Sequence, residues 1–125
     1  MNAKGIVWFE IPVADMDRAI KFYNAVFGIS LEAQEFGGDV MAWFPWGEGQ
    51  AGAPGSLVYN PELYEPCHKG SVIYFGSEDV SIELGRVEAS GGKVEVPKTQ
   101  ISPEHGYMAV FLDTEGNKIA LHSNS

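Results

Sequence analysis

Apolar and polar positions alternate at the start of the chain. Val7, Phe9, Ile11 and Val13 fall on one face, and Trp8, Glu10 and Pro12 on the other. Period two over a run of this length predicts a strand, residues 6–13, with one face against a core. Pro12 has no N–H to give a ladder, which places the strand's end or a sheet edge there. The period then changes. Met16, Ala19, Ile20, Tyr23, Val26 and Phe27 recur at helical spacing, with Asp15 as N-cap, Gly28 as a left-handed stop, and Asp17 and Arg18 on the wet side. Three strands are expected next, about residues 30–36, 40–46 and 56–59, with Gly37-Gly38-Asp39 turning between the first two. Residues 45–55, rich in Gly and Pro, read as a loop, and residues 60–70, with Pro61 and Pro66, as a connector.

The second half repeats this order. A strand over residues 71–76 leads to a helix capped by Asp79, striped by Val80, Leu84 and Val87, and stopped at Gly91-Gly92. Strands follow at residues 93–101, 107–112 and 118–122, the last after the turn Asp113-Thr114-Glu115-Gly116-Asn117. An offset of 64 residues carries Asp15 onto Asp79, Ala25 onto Ala89, Gly28 onto Gly92 and Gly52 onto Gly116. It also makes Trp43 and Tyr107 equivalents. The matched residues are mostly caps and turn glycines, where backbone geometry restricts the choice. The pattern predicts an α+β fold: two tandem βαβββ modules, residues 4–60 and 69–123, in one domain covering residues 1–125. One helix covers one face of each sheet. Curling the two uncovered faces together makes a cupped mixed sheet, a usual place for a small-molecule ligand.

Composition narrows the partners. The hydrophobic share of 45% is enough for a real core, and the net charge of −9 comes without any Lys/Arg cluster. Neither nucleic acid nor an anionic membrane surface is an expected partner, because both reward clustered basic side chains. The acidic balance suits either a solvated surface or a cationic ligand. Cys67 is the single cysteine, so no internal disulfide forms, which suits a reducing compartment. The first strand is too short and polar for a signal-peptide core and no apolar run spans a bilayer, so the expected location is cytoplasmic. The Gly-rich stretches lack a following Gly-Lys-Ser/Thr, and no Ser-His-Asp or Cys nucleophile pattern stands out.

Two stretches, FEIPVADMDRAIKFYNAVFGI and GYMAVFLDTEGNKIALHS, resemble the signature regions of the glyoxalase / bleomycin-resistance / extradiol-dioxygenase group, the vicinal oxygen chelate superfamily. The resemblance covers nearly the whole chain and is closest to a glyoxalase-related branch marked by FEIPV and GGKVEVPKT. It implies paired βαβββ modules, homodimers, and a cup in which His and Glu from the first and last strands hold a divalent metal that chelates vicinal oxygens. Carried onto this chain, those positions are Trp8 and Val72 in the first strands and Ala120 and Ser56 in the last. Indole, isopropyl and methyl groups do not ligate divalent ions, and a lone hydroxyl does so poorly. The expectation is therefore no cofactor.

The remaining chemistry centres on Glu10, which shares a face with Trp8. It serves either as a general base or cation-binding carboxylate, or as a hydrogen-bonded group that orders the sheet. His122 shares a face with Ala120 and either pairs with Glu10 in acid–base work or is a strand-end histidine near solvent. His105 reads as a loop residue at the cup mouth. His68 and Cys67 point apart in extended chain, which argues against a shared metal. Trp8, Trp43, Trp46, Tyr59, Tyr74 and Tyr107 lie in or beside strands; those facing the cup would suit a flat or cationic organic ligand, and the others pack in the core. The leading expectation is a small-molecule-binding protein without the usual metal. The alternatives are a metal-dependent lyase, isomerase or dioxygenase with relocated ligands such as Glu10 and His122, and a non-catalytic regulatory or assembly domain.

Overall fold

A computed structural model describes residues 5–125. The chain runs β1 (Phe9–Pro12), α1 (Met16–Phe27), β2 (Ala33–Phe36), β3 (Asp39–Trp43), β4 (Gly55–Tyr59), β5 (Ile73–Gly76), α2 (Val80–Val87), a 3-10 turn (Glu88–Ser90), β6 (Lys93–Ser102), β7 (Gly106–Leu112) and β8 (Lys118–Ser123). This is βαβββ twice, in two four-stranded mixed sheets of order β1-β4-β3-β2 and β5-β8-β7-β6. In each sheet the first strand pairs parallel with the last and the other pairs are antiparallel. β1 is shorter than the alternation predicts: its partner β4 begins at Gly55, opposite Phe9, and Ile6 and Val7 lie exposed before it. β1 and β5 each form one edge of their sheet, opposite β2 and β6, and Pro12 sits where its missing N–H breaks no second ladder.

The expected caps hold both helices. Asp15 is extended and accepts from Arg18 N; Gly28 closes α1 at φ 66°, its N–H bonding Asn24 O. Asp79 accepts from Ser81 N in the same way. The second stop differs by one residue. The left-handed glycine is Gly91, at φ 103°. Gly92 is needed for space, since a Cβ there would sit 2.6 Å from the Leu112 carbonyl oxygen.

Alternation along the strands divides each sheet into a core face and an open face. Phe9, Ile11, Ala42 and Leu57 of the first module and Phe75, Ala109, Phe111, Ile119 and Leu121 of the second meet in one core with α1 and α2. α1 joins the modules: Phe22 packs 5.9 Å from Phe111, and Phe27 packs 4.8 Å from Phe75, between ring centroids. Phe9 and Phe75 close the join at 5.7 Å. Among the described residues no helix is long and apolar enough to cross a membrane.

Candidate functional site

Glu10, Ser56 and Trp43 lie in one cross-strand row on the open face of the first sheet. Neighbouring strands place such residues side by side, within reach of one another's side chains. Trp8 lies on the same face, and its indole N–H donates to Glu10 Oε2 at 3.3 Å. The Trp8 and Trp43 rings meet edge to face at 5.3 Å, and Phe36 stacks on Trp43 at 5.3 Å. Trp43 remains 54% exposed, so this aromatic group faces outward. The connector brings in Tyr64, close enough to Glu10 that the carboxylate's charge raises the phenol's pKa. Ser56 is fully buried, and its Oγ has no hydrogen-bond partner, the one such side-chain atom among the described residues. A hollow of about 180 Å³ beside Trp43 is lined by Ser30, Glu32, Gln34 and Met41. No Lys or Arg forms an ion pair with Glu10 or Glu32 among the described residues; the pairs there are Arg18–Glu115 and Lys98–Asp79.

The corresponding row of the second sheet is Tyr74, Ala120 and Val110. Tyr74 is 56% exposed and Ala120 is buried. Val72 precedes β5 and is also exposed. His122 lies on this sheet's open face, opposite Gly76 and Met108, and its Nε2 donates to the His105 carbonyl oxygen at 2.6 Å. The His105 Nδ1 pairs with Ser102 Oγ at 2.7 Å, closing the β6–β7 turn. Within one chain the structure therefore groups Trp8, Glu10, Trp43 and Ser56 on one sheet, and Val72, Tyr74, Ala120 and His122 in or beside the other. Glu10 and His122 share no hydrogen bond.

Tyr107 departs from the expected arrangement. It packs against the core, with Lys98 Nζ 4.6 Å from its ring centroid, and is not on the open face. The register explains why. Trp43 lies opposite Ser56 and Val110 opposite Ala120, and the chain between the first pair is three residues longer. A constant offset cannot hold across loops of unequal length, so the equivalent of Trp43 is Val110.

A hollow of about 960 Å³ opens between the modules. Phe9, Phe44, Phe75, Trp46 and the loop up to Gly55 line it, and Val72 and Tyr74 border it. Glu83 is the one charged residue among the described residues that line it. The alternation of the first strand marks Phe9 as a core position; its convergence with Phe44 and Phe75 depends on how the two modules pack.

Two four-stranded mixed sheets on a shared helical core, each with its first strand paired parallel to its last, define a paired-βαβββ protein. Residues 5–121 match the family described as the Glyoxalase/Bleomycin resistance protein/Dioxygenase superfamily, and the chain belongs to it. A lactoylglutathione lyase of Haemophilus influenzae is 30% identical, over 90% of this chain and 87% of its own length. Among solved structures, TnmS3, an antibiotic binding protein from Streptomyces sp. CB03234, superposes with a TM-score of 0.66 at 27% identity, over 100% of this chain and 99% of that one. The Leishmania major glyoxalase I shares the fold, with a TM-score of 0.71 at 21% identity, over 98% of this chain and 88% of that one.

Proposed function

We propose that this protein binds a small organic molecule against the aromatic open face of its first sheet, without the divalent metal usual in its superfamily. The observation that carries this reading is the set of groups at the four positions where relatives place ligands: Trp8, Ser56, Val72 and Ala120. A divalent ion wants several imidazole, thiolate or carboxylate donors. Trp8 offers only an N–H donor, already used on Glu10. The set does not fit a metal, whereas Trp8, Trp43 and Phe36 form a surface for a planar ligand and Glu10 gives it a polar anchor. The name of TnmS3 supports a binding role. Glu10 is also the group placed to take or return a proton from a bound ligand.

The site takes its full form in a homodimer. Trp43, Phe36, Val72 and Tyr74 are large apolar side chains left exposed on or beside the open faces. Laying the first sheet of one copy against the second sheet of another covers these groups and makes a two-walled cup.

Protein purified in metal-free buffer and titrated with Zn²⁺, Ni²⁺ and Mn²⁺ tests the metal-independent reading by elemental analysis. No stoichiometric uptake is expected; one tightly held ion per chain would sink the idea. The names of the 27–30% identical relatives favour a second reading, a metal-dependent lyase with relocated ligands. In that case Glu10→Ala or His122→Ala abolishes metal uptake and lactoylglutathione formation together.

A further inference from the structure

We infer that the ligand of the open face is an organic cation carrying an N–H donor: a protonated amine or a protonated nitrogen heterocycle attached to an apolar body. This rests on the reading of that face as the ligand site and goes further by giving the ligand's charge and hydrogen-bonding character.

Four observations converge. Glu10 is a carboxylate whose polar neighbours are the neutral Trp8 indole and Tyr64 phenol, and no basic side chain among the described residues pairs with it. Glu32, a second carboxylate, lies on the other side of Trp43, in the hollow that Trp43 borders. Between them stand Ser56 and the Trp43 ring, with the Trp8 ring against Trp43. Trp8 and Trp43 meet at 5.3 Å with their planes 71° apart, and Trp43 is open to solvent. Aromatic faces carry negative quadrupole potential and attract cations, most strongly when the cation is partly desolvated. A ligand anion would meet only negative potential here. The fourth observation is the orphaned Ser56 Oγ, in register between Glu10 and Trp43. A buried hydroxyl without a partner is unfavourable, and such groups in native structures call for an explanation. A ligand N–H supplies the missing partner once the exposed Trp43 ring swings aside, and the same N–H⁺ pairs with Glu10. Ion pair, cation–π contact and hydrogen bond then act on one ammonium group.

The test uses three probes of one shape: benzylammonium, neutral benzyl alcohol and anionic benzoate, read by calorimetry and by tryptophan fluorescence. Benzylammonium is expected to bind at least about tenfold more tightly than benzyl alcohol, a difference of the size an ion pair plus a cation–π contact gives, and benzoate not at all. Added salt weakens the first and leaves the second unchanged. Glu10→Gln lowers benzylammonium affinity about tenfold and leaves benzyl alcohol within about twofold. Ser56→Ala separates binding from folding. Removing an unpartnered hydroxyl leaves the melting temperature equal or higher, yet benzylammonium binding weakens. Equal affinity for the alcohol and the ammonium overturns the inference while leaving a ligand site on this face intact. So does an unaltered benzylammonium affinity in Glu10→Gln. Failure of all three probes to bind overturns both the inference and the open-face site on which it rests.

Discussion

Tyr23 shows at the residue scale what the alternation and helical stripe conceal. Its apolar ring belongs to the stripe of α1, but its hydroxyl donates to Asp113 Oδ2 at 2.6 Å, across the join between modules. Burial pushes the phenol's pKa well above 10, with the Asp113 charge and hydrogen bond adding to it. The neutral phenol is thus the form that folding favours, and stability is retained below pH 10 and falls as the pH rises above it. Tyr23→Phe keeps the ring and leaves Asp113 short of a donor. It is expected to cost about 1–3 kcal/mol, read from urea unfolding, with Asn117 still holding the carboxylate. Sequence reading places Tyr23 in the core but cannot give its partner, because the two residues are far apart in the chain. Ser56 is a similar case: its position was legible from the repeat, while its missing partner depends on the packing around it.

At the scale of elements, the start of α1 is held by a residue from the other module. Glu115, in the turn before β8, accepts from the backbone N–H of Ala14 and Asp15 at 2.9 and 2.8 Å and forms a bidentate pair with Arg18. Burial raises the cost of its charge. The bonds from Arg18, Asp15, Thr114 and Ala14 outweigh that cost and hold the carboxyl below its usual 4.5. A depressed folded pKa means the stabilisation is complete above the unfolded value and is lost as the pH falls through the folded one. Asp79, which caps α2, has the same sign: the Ser81 and Lys98 hydrogen bonds lower it from 3.8 to about 2. Acid unfolding should therefore begin as the pH drops below about 4.5 and continue towards 2. Glu115→Ala should flatten the upper part of this acid limb and cost about 2–3 kcal/mol near neutral pH, as seen in melts across a pH series. The caps themselves were legible because Asp15 and Asp79 precede apolar stripes. The reach of Glu115 to α1 was not, since a turn's sequence carries no record of what the turn touches.

At the scale of the whole molecule, the proposed homodimer follows from the outward-facing aromatics. Sedimentation over a dilution series should show two copies associating. Tyr74→Glu, at an exposed site, should weaken that association at least about tenfold without lowering the cooperativity of unfolding. A monomer at all concentrations would leave the first sheet to bind its ligand alone. The sequence by itself determined the strand and helix order, both N-caps and the two-module repeat. Each of these is written locally, in period, in turn glycines or in capping chemistry. Only the tertiary structure decided that Tyr107 faces the core, that Glu10 and His122 stand on different sheets, and that Ser56 lacks a partner. Those outcomes depend on loop lengths that set register and on how two sheets pack around one helix, and neither is recorded in the pattern of any single segment.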